Sequence, residues 1–476
     1  MGSCLVVRWG AVTEMARVPT EAEYKLAVPG GAHSNSRLRN GHPVVAARAA
    51  GSRIVDQSGR EFVDFIMGNG AVFLGHGSPD VVASVTECVR LGLTTGVESP
   101  FAMEAAEAIR SLIPQPGMVR FATTGTEAVL HCLEIARAAT GRSRFAKAEG
   151  AYHGWAAPLN VSTWPSADEW GPSDQPRVVP GAAGLDPTSA STIVFPFNDI
   201  PAARRLISDQ AEEIAAVIVE PMLIDIGYVP AQREFLVDLR ELTHEMGALL
   251  IFDETLTGFR VARGGAREFY GVFPDLTIYG KAIANGYPLA AVEGRSELME
   301  LTNPLKGGKV GFVGTYNGHA VSAAAAVVAL RALSDEATLL QLDALTRELA
   351  DGVREVASTS DVPIQFAGAG GHFQIYFTRE TVKDYRSAAT SDPDAYRSFV
   401  ATCERAGILY PDVPLAHGAV SISHSKGDLH RLIAALDESV RDRPSRRGDD
   451  AQLRPRPPDQ AVVATSSAVE KKRLAA

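Results

Sequence analysis

Between about residues 118 and 294 the chain alternates short apolar runs with longer amphipathic ones. MVRFATT, SRFAKAEG, STIVFPF, AAVIVEPM, ALLIFDE, DLTIYGK and PLAAVEG have the length and the β-branched or aromatic content of strands. GTEAVLHCLEIARAAT, IPAARRLISDQAEEI and AQREFLVDLRELTHEMG repeat apolar residues at helical spacing. Strands this apolar, separated by helices, predict an α/β fold with a mostly parallel sheet covered on both faces. Upstream, SRIVDQSGREFVDFI reads as a hairpin about a Ser-Gly turn, and DVVASVTECVRLG and MEAAEAIRSLI as helices. The first 40 or so residues read as irregular, with VPGGAHSNSRLRNGHP as a loop. Downstream, AVSAAAAVVALRALSD predicts a long helix and LLQLDALTRELADGVREVAS opens a smaller lobe. From about residue 441 Pro, Arg, Ser and Ala follow one another without period, the composition of a disordered tail. The expected division is an N-terminal segment (1–85) joining the small domain, a large domain (86–335), a C-terminal small domain (336–440) and the tail (441–476).

The length of 476 residues allows a large shared core. A formal net charge of -10 argues against nucleic acid and anionic membranes as partners. Cys4, Cys88, Cys132 and Cys403 are scattered, which fits reduced thiols rather than disulfides or a metal site. No apolar run reaches membrane-spanning length, and MGSCLVVRWG lacks the order of a signal peptide. A cytoplasmic protein is expected.

In ALLIFDETLTGFR, Asp253 falls at the C-terminal end of a buried strand, the edge where parallel sheets bind ligands. Thr255, two positions on, can share its face. Lys281 ends the next strand-like run, DLTIYGK. An acid and a lysine at neighbouring strand ends have two readings. One is a salt bridge or a solvated strand end. The other is a pyridoxal phosphate site, the lysine forming the Schiff base and the acid partnering the pyridine nitrogen. FATTGTEAVLHCLEIAR adds a strand, a Gly125 turn and a helix opening on Thr126 and Glu127. It is either a phosphate cradle or a simple cap. In GAYHGW, Tyr152 is a ring for stacking on a flat cofactor or a core residue.

Taken in order and spacing, PGGAHSNSR, LGHGSP, TTGTEA, YHG, VEP, FDETLTGFR, YGKAIANGYP, GTYNGHAVSAAAA and SHS resemble the class III aminotransferases of pyridoxal phosphate fold type I. The resemblance runs from about residue 24 to 437 and is greatest to the glutamate-1-semialdehyde 2,1-aminomutase branch and its amino-sugar aminotransferase relatives. It implies Lys281 as the Schiff-base lysine, Asp253 as the pyridine partner and Tyr152 as the stacking aromatic. It places Thr124, Gly125 and Thr126 in the phosphate loop, and His153, Glu220 and Thr255 near the cofactor. It gives Thr315 a reach to the phosphate of a neighbouring subunit, hence a homodimer with shared sites. An uncharged lysine amine can attack a carbonyl and shuttle a proton; arginine, always protonated, cannot.

The chain also departs from that branch. Thr123-Thr124 stands where Asn-Ser is usual, and Thr255 where an aliphatic residue is usual. The aminomutase tryptophan before LGH is replaced by Asn69, and the acid before the late Ser-x-x-His by Ala416 or His417. Ser34 and Arg37 match substrate-contacting positions; Arg37 is a carboxylate clamp or a surface arginine. His33, His153, His319, His372 and His417 are pocket-lining or structural. The expected activity is transfer of an amino group from an amino-acid donor to an aldehyde or ketone, an amino-sugar or aminoglycoside intermediate, through pyridoxal and pyridoxamine phosphate. The rivals are an aminomutase or epimerase, a β- or γ-amino acid transaminase, and a non-catalytic cofactor-binding protein.

Overall fold

The computed structural model describes residues 25–39, 41–93, 96–155, 157–181 and 191–441. Residues 1–24 and all of the expected tail beyond Arg441 lie outside them. Seven strands form the main sheet: β1 (Met118–Ala122), β2 (Arg144–Ala148), β3 (Ile193–Phe195), β4 (Ile214–Val219), β5 (Leu249–Glu254), β6 (Leu276–Tyr279) and β7 (Ala290–Gly294). Their order across the sheet is β1-β7-β6-β5-β4-β2-β3. β3, β2, β4, β5 and β6 pair in parallel, whereas β7 is antiparallel to both β6 and β1. β4 and β5 are buried along their whole length, as their unbroken apolar runs require. The reversal at β7 follows from chain length: residues 280–289 are too few for a crossover helix.

The helices that cover the sheet start and stop on local chemistry. Helix α1 (Gly125–Thr140) opens with a capping box, Thr124 accepting from Glu127 N and Glu127 reaching back, and closes on Gly141 in the left-handed region. Helix α2 (Ala320–Ser334) is alanine-rich and buried on most of its surface, so it can pack closely against neighbouring elements. The helix expected from residue 200 to about 214 ends at Ser208; residues 209–213 turn instead, and Ile214 is already strand.

Beyond α2, helix α3 (Glu336–Thr359) leads to a three-stranded antiparallel sheet, β8 (Gln365–Ala369), β9 (His372–Tyr376) and β10 (Gly418–Ala419). The expected hairpin forms between Arg53–Asp56 and Glu61–Asp64, and the latter strand pairs in parallel with Ile408–Leu409. One core joins both ends of the chain: Val63 and Phe65 pack with Leu349, Phe373, Phe399 and Leu429. Among the described residues no helix is long and apolar enough to cross a membrane.

Candidate active site

β1 stands at one edge of the main sheet, and the next strand in the chain, β2, lies near the other. Such a break in winding opens a crevice at the C-terminal strand ends. Five segments leave the sheet there: α1 after β1, the Tyr152 loop after β2, Glu220 after β4, Asp253 at the end of β5 and Lys281 after β6.

Lys281 opens a 3-10 turn, Lys281–Ala284, with φ 48°. A long side chain in the left-handed region is strained, and such strain gathers at functional sites. Asn285 closes the turn and accepts a hydrogen bond from Leu74 N at 3.0 Å, which holds it against the N-terminal loop. Lys281 is half-buried, and no hydrogen bond or ion pair among the described residues takes its Nζ.

Asp253 is engaged elsewhere. His153 Nδ1 lies 2.9 Å from its Oδ2, and Thr255 donates to its Oδ1 from Oγ1 (2.6 Å) and from N (3.1 Å). Burial pushes the carboxyl up, but the His153 ring and the two Thr255 donors outweigh it and hold Asp253 below the usual carboxylate range. Burial holds the His153 ring neutral, so its one proton sits on Nδ1 and Nε2 is left without a partner. The salt-bridge reading of Lys281 with Asp253 therefore gives way to a carboxylate held ionised beside an unpaired amine. The Thr255 methyl faces Gly280, whose added Cβ would lie 3.1 Å from Thr255 Cγ2.

At the start of α1 the capping box uses the amides of Thr123, Thr124 and Glu127. The amides of Gly125 and Thr126 remain as the first-turn donors, a ready anion site. The Tyr152 loop packs directly on this turn: a Cβ on Gly154 would lie 2.4 Å from Thr126 Oγ1, so only glycine fits.

Two buried groups shape that loop. Lys147, fully buried in β2, donates to the carbonyls of Ala151 (2.7 Å), Val161 (2.6 Å) and Leu159 (3.3 Å). Burial pushes its pKa down to about 7, and the carbonyls compensate the charge. Glu220 accepts from Tyr152 N at 2.9 Å and from Ile224 N at 3.4 Å. Burial and the charges of Asp225 and Asp253 push its carboxyl well up, while its two backbone hydrogen bonds make it an anchor of the loop. The Tyr152 ring is stacked on Trp164 at 5.6 Å, and burial keeps its phenol protonated.

Beside Lys281 stands a second wall. His372 opens β9 and His417 precedes β10, their rings 5.0 Å apart. Asn69, with φ 54°, sits in a loop whose Gly70 carbonyl accepts from Arg260 Nη1 at 3.0 Å. A Cβ on Gly70 would lie 2.2 Å from His372 Cε1, so glycine there makes room for the imidazole. The backbone of Asn69 and Ile224 lies against His417. Burial and the Lys281 charge push His417 down to about 4; burial and Arg260 push His372 well below the usual imidazole range. Both rings are neutral at physiological pH.

The structure thus gathers Thr124, Gly125, Thr126, Tyr152, His153, Glu220, Asp253, Thr255, Lys281, Asn69 and His417. Ser34, half-buried, and Arg37, exposed, belong to the turn about Asn35–Arg37, and no hydrogen bond or ion pair among the described residues ties them to Lys281. Thr315 is exposed. Asp225, Trp164 and Arg260 join the site without having been singled out in the sequence. Only the nearness of Asp225 to VEP could have drawn attention to it.

Known proteins place this arrangement. The model of the family "Aminotransferase class-III" matches residues 35–413. The chain is 37% identical over 423 residues to glutamate-1-semialdehyde 2,1-aminomutase of Roseiflexus castenholzii, covering 88% of this chain and 96% of the relative. An omega-transaminase from Sphaerobacter thermophilus superposes with a TM-score of 0.84 at 33% identity, over 89% of this chain and 96% of the other. A β-phenylalanine aminotransferase from Variovorax paradoxus does so with a TM-score of 0.78 at 28% identity, over 88% and 92%. The chain belongs to the class III aminotransferases, pyridoxal phosphate enzymes of fold type I.

Proposed function

We propose that the chain transfers an amino group between an amino-acid donor and an aldehyde or ketone on a hydroxylated ring, an amino-sugar or aminoglycoside intermediate. The observation that carries this reading is the wall beside Lys281. It offers Asn69 and two buried neutral imidazoles, and Arg37, the candidate carboxylate clamp, is exposed on its own turn. Neutral imidazoles donate and accept, as hydroxyl groups require.

The residues present fit pyridoxal phosphate: two first-turn amides are unspent, a buried carboxylate is held ionised, and a lysine amine is unpaired. Gly125 and Thr126, with the Thr124 hydroxyl, would hold the phosphate, Asp253 the ring nitrogen and Tyr152 a ring face. When bound, the cofactor supplies an electrophilic carbonyl and an electron-withdrawing ring. Lys281 would supply the amine that holds the cofactor and, when free, would move a proton at the amine-bearing carbon of the substrate. Asp253 would keep a proton on the ring nitrogen by its charge, and His153 with Thr255 fixes the carboxylate in place.

An aminomutase is the second reading, favoured by the name and 37% identity of the Roseiflexus relative. Donor stoichiometry separates the two. Holoenzyme given the amine alone should release one equivalent of carbonyl product per site and stop, and should turn over continuously only with a carbonyl acceptor. Continuous conversion of one amine into an isomer with no acceptor would establish the isomerase instead.

We further propose a homodimer with Thr315 at the shared boundary. Thr315 lies among exposed apolar side chains, Val313 at 88% and Tyr316 at 57% exposure. Sedimentation at micromolar concentration is expected to give twice the chain mass; a single-chain mass would remove Thr315 from the site.

A further inference from the structure

The short helix Tyr385–Ala388 follows β9 in the chain, yet Tyr385 and Ala388 pack in the core of the main sheet with Phe195, Val217 and Phe252. Asp384 starts the helix with a capping box and accepts from Ser387 N at 2.8 Å. From this fixed base Tyr385 and Arg386 reach two stretches of chain, one on each side of the Tyr152–Trp164 stack.

The first stretch is the root of the Tyr152 loop. Arg386 donates from Nε to Glu149 Oε2 at 2.8 Å and from Nη2 to Glu149 Oε1 at 3.0 Å, a two-pronged pair on a carboxylate that is 3% exposed. Gly150 follows with φ 83°, and a Cβ there would lie 2.6 Å from Tyr385 Cβ, so the backbone rests directly on the tyrosine. Tyr152 comes two residues later. The second stretch leaves Trp164. Tyr385 Oη donates at 2.8 Å to the Pro165 carbonyl, which also accepts from Trp170 Nε1 at 2.6 Å. Arg386 donates to the successive carbonyls of residues 170–172 at 3.0 to 3.1 Å, and its guanidinium lies 5.2 Å over the Trp170 ring.

Both partners of the stack are therefore fastened to one helix. The two ring planes are within 10° of parallel, and Trp164 is 59% exposed, so solvent does nothing to hold it there. A ring covered on one face has one face left for a flat cofactor, and the angle of that face follows from where the two flanking stretches are tied. A two-pronged guanidinium pair fixes an angle as well as a distance.

We propose that Arg386, with Tyr385, is a positioning residue for the reaction: through Glu149 and Pro165 it sets the Tyr152 ring in the plane at which it stacks on the cofactor. This rests on the reading of Tyr152 as the stacking ring.

The test is a double-variant cycle read by cofactor affinity, from equilibrium dialysis of holoenzyme against a dilution series of pyridoxal phosphate. Tyr152→Leu is expected to raise Kd by about tenfold, the scale of one aromatic stack. Arg386→Met should raise it by about threefold or more, and by no more than Tyr152→Leu, because it acts through that ring. In the Tyr152→Leu background, Arg386→Met should change Kd by less than about twofold, whereas a residue serving only the fold would weaken both backgrounds alike. Arg386→Lys keeps the charge, cannot make the two-pronged pair, and should resemble Arg386→Met. Tyr385→Phe removes one hydrogen bond and no charge, so it runs the same cycle if Arg386→Met does not fold; about a twofold change is expected, absent with Tyr152→Leu. The visible circular dichroism of the bound cofactor should fall in Arg386→Met as in Tyr152→Leu. An unchanged Kd in Arg386→Met, or an equal effect in both backgrounds, overturns the positioning role while Tyr152 keeps its place at the cofactor. An unchanged Kd in Tyr152→Leu overturns the stacking reading and the positioning role with it.

Discussion

Lys281→Ala is expected to lower kcat by at least about 10³-fold while leaving the cofactor bound. The loss is chemical because the structure gives Lys281 no other task. Its Nζ makes no hydrogen bond or ion pair among the described residues, so removing it leaves no buried partner unsatisfied. Alanine at φ 48° is as strained as lysine, so the 3-10 turn is not further penalised. Asp253, the first-turn amides of α1 and Tyr152 would still hold the cofactor. Dialysis followed by an absorption spectrum checks retention. Borohydride reduction and peptide mapping should label Lys281 in the native protein and nothing in the variant. Added methylamine should restore part of the activity, because a small amine can enter the vacated space and carry the proton. Turnover within about tenfold of native, or a label on Lys147, would remove Lys281 from the chemistry. Lys147 is the informative control: it too is apolar-flanked, but three carbonyls take its protons.

The contrast between these lysines shows what could be read from the sequence. Both sit near strand ends, and only the chain order of Asp253 and Lys281 around adjacent strands marks one for catalysis. The parallel sheet was legible because its strands are apolar on both faces. The reversal of β7 was not, since PLAAVEG has the same strand composition as a parallel neighbour and only the short link before it forces the turn. The helix end at Ser208 was hidden by the helical composition of DQAEEI. At the site, His153 was a candidate from its motif, but its bond to Asp253 depends on how the β2 loop folds over β5. Asp225 and Arg260 carry no local pattern. They matter because tertiary packing brings one beside His417 and uses the other to fasten Gly70 to the β8–β9 turn, where Gly370 accepts its Nε at 2.9 Å. Arg37 was legible as a cation but gave no indication of its place; it lies exposed on the turn Asn35–Arg37.

Asp253→Asn is expected to lower kcat by about 10² to 10³-fold, the effect of removing one preorganised charge from a dry site. The shape of asparagine preserves the volume of the side chain, so no cavity forms. Asparagine can hydrogen-bond a ring nitrogen but cannot hold a proton there electrostatically. The variant also unsettles the supports: Thr255 Oγ1 and N, and His153 Nδ1, all donate to the carboxylate, and an amide nitrogen facing any of them would oppose donor to donor. The stability profile gives a second readout. Burial raises the folded carboxyl, but His153 and Thr255 bring it below its unfolded value. The ionised group therefore contributes stability above the unfolded pKa, and that contribution is lost as pH falls through the folded one. Asp253→Asn should flatten this part of the acid limb in denaturant unfolding and leave the alkaline side alone. Thr255→Val separates the neighbours: it keeps the methyl against Gly280 and removes only the 2.6 Å hydrogen bond, so its effect on kcat should be smaller than that of Asp253→Asn and in the same direction. An Asp253→Asn enzyme within about threefold of native kcat would mean that the buried carboxylate serves the fold and that the proton on the ring nitrogen has another source.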